Sequence, residues 1–115
     1  MGRQIRWGVI GSGGIARRRT IPEGILPASN ASLVAVYSRD PANNAAVARD
    51  FGGHPARSVE ELLGLGVDAV YVASPPGAHL EQVRACARSG VHVLCEKPLG
   101  LNVADAEAMV AACRE

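Results

Sequence analysis

The sequence has no excess of charge, no long apolar run and no cysteine pair at metal-binding spacing, and each lack removes a class of function. Twelve basic residues against eleven acidic ones leave a net charge of +1, with both signs interspersed. No broad basic surface is therefore offered to nucleic acid or anionic lipid. The one basic run, Arg17-Arg18-Arg19, would spread its members about 100° apart on a helix and reads as a solvated helix surface. No apolar stretch approaches the ~20 residues that cross a bilayer, so no membrane partner is expected. The first residues lack a secretory leader's charged, apolar and small-residue sections. Cys86, Cys95 and Cys113 form an odd set without C-x-x-C, and with three scattered histidines they match no zinc pattern. They read as reduced, largely packed thiols; no metal site is expected, and a cytoplasmic location follows. Internal repeats, low-complexity tracts and linkers are missing as well.

What is present suits one globular domain: 115 residues, 48% apolar and 20% charged. Strand-like and helix-like segments alternate along the chain, the pattern of an α/β sheet with crossover helices. Strands are expected at 5–10, 32–37, 54–57, 68–73 and 91–95. A helix starts near Gly14, and Pro22 and Pro27 must kink or stop it. Asp40-Pro41 reads as an N-cap with proline at N1, opening a helix that runs to Phe51 before Gly52. "SVEE" from Ser58 is a capping box. The next helix shows Leu80, Val83 and Ala87 at helical spacing and ends at Gly90. Asn102 caps a last helix whose Val103, Ala106, Val110 and Cys113 form one apolar stripe. Five strands with right-handed crossovers predict a doubly wound parallel sheet in the order 3-2-1-4-5, with helices on both faces.

The stretch "RWGVIGSGGIA" places Gly11-Ser12-Gly13-Gly14-Ile15-Ala16 between the first strand and the first helix. A dinucleotide's diphosphate needs backbone N–H donors and a helix N-terminus behind them. Gly11 would make the tight turn, Gly13 would let the backbone approach a phosphate, and Ala16 would let the helix pack on the strand. A plain tight turn is the competing reading. At the tip of the second strand, "VYSRD" puts Ser38 and Arg39 where an acidic residue would hold free ribose hydroxyls. A hydroxyl beside a guanidinium can instead bind a 2′-phosphate by charge-assisted hydrogen bonds, which favours NADP(H) and leaves NAD(H) open. Arg39 as a solvated loop residue and Asp40 as the ribose acid are the alternatives.

Two further clusters end the fourth and fifth strands: "ASPPGAH", 73–79, and "CEKPLG", 95–100. With the glycine loop and "VYSRD" they resemble the N-terminal domain of the glucose–fructose oxidoreductase, inositol dehydrogenase and rhizopine-catabolism (Gfo/Idh/MocA) family, over essentially the whole chain. The resemblance implies a Rossmann-type NAD(P)-binding domain of an oxidoreductase acting on sugars, polyols or related carbonyl compounds. It implies that Glu96-Lys97-Pro98 is the family's EKP motif, with Lys97 catalytic beside nicotinamide and substrate oxygen. An ammonium there can polarise a carbonyl or stabilise an alkoxide. Pro98 would fix the backbone that aims it, and a cis bond before Pro98 is allowed. Glu96 would orient its surroundings. Ser74 and Pro75 correspond to the family's turn beneath the nicotinamide, where Pro76 removes one polar group. His79 either lines the cofactor site or makes a local helix-start contact, and Lys97 could also be an ordinary exposed loop lysine.

The family places a second, mostly β domain after this one, so residues 1–115 are expected to be the nucleotide-binding domain of a longer protein. The sugar or polyol substrate would be recognised outside this chain, and self-association of the full-length protein is open. The rival expectation is a non-catalytic dinucleotide sensor or interaction module with the same fold.

Overall fold

The computed structural model describes residues 4–97 and 99–114. Five parallel strands, β1 (Ile5–Ile10), β2 (Ala31–Tyr37), β3 (His54–Pro55), β4 (Ala69–Val72) and β5 (His92–Cys95), lie in the order β3-β2-β1-β4-β5. This is the expected order and direction. Consecutive residues of the inner strands face opposite sides of the sheet, so strands covered on both faces read as unbroken apolar runs. Ile10, Val70 and Val72 pack on one face with Leu62 and Cys86, while Val9, Val36 and Tyr71 pack on the other with Ala16, Ile21 and Val47.

The first face is covered by α2 (Val59–Leu63) and α3 (Pro76–Arg88), the second by a helix π1 (Ala16–Ile25) and by α1 (Pro41–Phe51). α1 has the expected start, with Asp40 accepting from the Ala42 N–H at 3.0 Å, and Gly52 ends it at φ +87°. Asp40 is thus a cap. Ser58 caps α2 by accepting from the Glu61 N–H at 3.0 Å, while the Glu61 carboxylate turns to His54 Nε2 at 2.8 Å.

The structure corrects the reading at several places. π1 ends at Ile25, ahead of Pro27, but at Pro22 it continues by winding wide: the Leu26 N–H bonds Ile21 O at 3.0 Å, five residues back. Pro22 has no N–H to give and its ring crowds the carbonyl four residues before it, so a wider turn relieves both problems. β3 is only two residues long. On α3 the fully buried positions are His79, Val83 and Cys86, one step round from the stripe through Leu80 and Ala87. α4 (Val103–Arg114) buries Met109, whereas Val103 is 72% and Val110 43% exposed and Cys113 lies at the surface. Asn102 does cap α4, accepting from the Asp105 N–H at 2.9 Å. The thiols are free, yet only Cys86 is fully buried.

Candidate functional site

The C-terminal ends of β1, β2 and β4 meet at one edge of the sheet, where strand order reverses between β1 and β4; ligands of open α/β sheets bind at such an edge. Two adjoining hollows of about 360 and 580 Å³ form a groove there. Gly11, Gly13, Gly14, Ser38, Arg39, Ser74 and Pro75, all candidates from the sequence, line it. Asn43 lines it too.

Gly11 is what lets the edge close. Its φ is +89°, and a Cβ on it would lie 2.3 Å from Ser74 N and 2.5 Å from the Ala73 carbonyl carbon. No side chain fits, so the loop after β1 lies directly on the backbone after β4. The amides of Gly11 and Ser12 both donate to Tyr37 O, at 2.6 and 3.3 Å, which ties the loop to β2. Among the described residues neither the Gly13 nor the Gly14 N–H is taken by a backbone carbonyl. These two donors at the start of π1 suit an anion such as a diphosphate.

Ser12, Ile15, Ala16, His79, Glu96 and Lys97 stand apart from the groove lining. Ser12 is fully buried, with its hydroxyl accepting from Asn43 Nδ2 at 3.4 Å. Ala16 is packed in the core under π1, and Ile15 is exposed. His79 is 1% exposed, its Nε2 2.6 Å from Ser74 O and its Nδ1 3.0 Å from Leu99 O, so it bridges the turns after β4 and β5. Ser74 Oγ bonds Gln82 Oε1. Glu96 and Lys97 follow β5, and Pro98 lies outside the described residues.

Glu96 is held firmly. Tyr71 OH donates to its Oε2 at 2.5 Å, the Lys97 N–H donates to its Oε1 at 3.1 Å, and Thr20 Oγ1 lies 3.3 Å from the phenol oxygen. The Tyr71 bond above all, then the Lys97 amide, hold the Glu96 carboxyl below its ordinary range. Burial, followed by the negative Glu96 beside it, pushes the Tyr71 phenol up. Tyr71 could be read in the sequence only as a core strand residue. Burial also raises the thiols, Cys86 to about 12 and Cys95 to about 11, which makes both poor nucleophiles. Among the described residues no helix is long and apolar enough to cross a membrane and no cluster of metal-ligating side chains occurs.

Fold and edge together define a nucleotide-binding α/β domain of the doubly wound type. Residues 5–115 match the sequence profile of an oxidoreductase family with an NAD-binding Rossmann fold. The chain belongs to this family, Gfo/Idh/MocA. A 1,5-anhydro-D-fructose reductase of Ensifer adhaerens is 46% identical over 96% of the chain and 33% of its own length. The 3-ketoreductase KijD10 of Actinomadura kijaniata, crystallised with NADP, superimposes with a TM-score of 0.90 at 37% identity, over 97% of the chain and 36% of its own. The WlbA dehydrogenase of Bordetella pertussis, in complex with NADH and UDP-GlcNAcA, gives 0.89 at 33% identity over 97% and 34%. The chain thus spans about a third of the length of the relatives it matches.

Proposed function

We propose that residues 1–115 are the dinucleotide-binding domain of an oxidoreductase that moves a hydride to or from a sugar, polyol or related carbonyl compound, with NADP(H) preferred over NAD(H). The observation that carries this reading is the groove in which Gly13, Gly14, Arg39 and the β4 tip face one another. Relatives crystallised with NADP and with NADH support the coenzyme class and leave its form to the β2 tip. When bound, the nicotinamide supplies or accepts the hydride.

The chain's own residues bind and orient. Gly13 and Gly14 donate their amides to diphosphate oxygens, with Gly11, Ser12, Ile15 and Ala16 setting the loop. Arg39, an exposed guanidinium at the tip of β2, meets a 2′-phosphate. Ser74 and Pro75 wall the groove, and His79 holds that wall to the turn after β5. Lys97 brings an ammonium to polarise a carbonyl oxygen or stabilise an alkoxide. Glu96, with both oxygens engaged, orients the Lys97 backbone and exchanges no proton. Substrate recognition belongs to another part of the full-length protein.

Titration of the chain with NADPH and NADH, followed by nicotinamide fluorescence, tests the reading. NADPH should bind more tightly, and Arg39→Ala should weaken NADPH about ten-fold while sparing NADH. Equal affinities in the parent would remove the NADP(H) preference, and no binding of either would remove the function. A full-length parent that binds NADPH yet reduces no keto sugar or osone would support the non-catalytic sensor instead.

A further inference from the structure

Ser38 stands at the tip of β2, but its hydroxyl proton is committed inward. The buried Asn44 amide decides this: its Nδ2 donates to Ser38 O at 3.0 Å and to Ala56 O at 3.3 Å, and carbonyl oxygens can only accept. Asn44 Oδ1 must therefore face Ser38 Oγ, 2.7 Å away, and take its proton. Asp40 O, the other acceptor in reach, is more distant at 3.3 Å. The lone pairs of Ser38 Oγ receive the Asp40 N–H at 3.4 Å and Asn43 Nδ2 at 3.2 Å. An anion arriving at the tip meets no proton on Ser38.

Asn43 is oriented the other way. Arg17 Nη1 donates to Asn43 Oδ1 at 3.3 Å, and Arg17 is itself anchored by Asp50 at 3.2 Å. This turns the amide NH2 toward the groove wall, where it bridges Ser38 Oγ at 3.2 Å and Ser12 Oγ at 3.4 Å. Both bonds are long, and a phosphate oxygen offers a charge-assisted bond in exchange. Asn43 and Arg39 line the same hollow. We infer that Asn43, aimed by Arg17, is the neutral donor that joins Arg39 in recognising a phosphate on the 2′ position of the adenosine ribose. Ser38 supports Asn43 and gives the phosphate no proton. The inference rests on the dinucleotide reading and names which residue sets the coenzyme form.

Adenosine 2′,5′-bisphosphate and AMP differ only in the phosphate at issue, and the ratio of their affinities, measured by calorimetry, cancels any change in folded fraction. In the parent the bisphosphate should bind more tightly. Asn43→Ala should lower the ratio about ten-fold. Arg17→Met, which frees the amide to flip, should lower it by less, and Ser38→Ala should lower it less than Asn43→Ala does. A ratio unmoved by Asn43→Ala, or a loss at Ser38 that equals or exceeds the loss at Asn43, overturns the inference and leaves dinucleotide binding intact. A parent that binds both nucleotides equally also overturns it. A parent that binds neither overturns the dinucleotide reading together with it.

Discussion

The two sides of the sheet are held by different means. Around β1 and β2 both faces are covered, and Val9, Ile10, Ala35 and Val36 are fully buried. The polar side chains above them close on one another: Ser12, Ser38, Asn43, Asn44 and Arg17 form one connected set of hydrogen bonds. Around β5 the packing is one-sided. Val93 and Cys95 turn to the core, while Leu94 on the opposite face is 56% exposed, and α4 turns Val103 and Val110 outward. Here the tip is held by single ties, Tyr71 to Glu96 and His79 to Leu99. The tip of β2 is thus fixed by a closed network, and the turn after β5, which carries Lys97, by a few long-range bonds.

The largest effect is expected at Gly11, where the two sides touch. Gly11→Val forces a side chain into the backbone of Ala73 and Ser74 at a φ that β-branched residues avoid. Such overlap should cost about 3 kcal/mol or more and abolish dinucleotide binding, read by thermal unfolding and NADPH titration. Ser38→Asp attacks the closed network alone. It sets a carboxylate against Asn44 Oδ1, where a hydroxyl now donates at 2.7 Å. Stability should fall by about 1–3 kcal/mol, and the NADPH-to-NADH affinity ratio should drop as the carboxylate repels a 2′-phosphate.

On the β5 side, Tyr71→Phe removes the chief cause of the lowered Glu96 carboxyl. A lowered folded value means stability that is present above the ordinary 4.5 and lost as pH falls through the folded value. The variant should titrate Glu96 closer to 4.5 in a carboxyl NMR experiment and show a shallower loss of stability below that pH. An unchanged titration would mean that the phenol does not hold Glu96. The smallest effect is expected on the uncovered face. Leu94→Gln and Val103→Gln should each change the stability of this chain by less than about 0.5 kcal/mol, measured by urea unfolding.

Much of this was legible in the sequence. β1, β2 and β4 announce themselves as apolar runs, and the order of helices and turns leaves little choice of topology. Gly11, Gly13 and Gly14 could be placed because strand, turn and helix follow one another there. Three things were not legible. The wide winding of π1 depends on how the chain accommodates Pro22, which sequence spacing does not encode. α4 carries alanine and valine nearly all round, so periodicity could not choose its buried face, and only the folded chain shows that it is the one bearing Met109. Asn43 and Asn44 left a trace, two poor helix formers in the first turns after "SRDP". Their roles, however, depend on which atoms point inward, and only the folded network reveals that.

The edge above β1, β2 and β4 is proposed to receive the coenzyme. Backbone amide chemical shifts of the chain, followed during NADPH addition, test it most directly. Saturable shifts should concentrate at Gly13, Gly14, Arg39, Asn43 and Ser74, with α4 unmoved. Shifts confined to the outward face of α4, or no shifts at all, would contradict it.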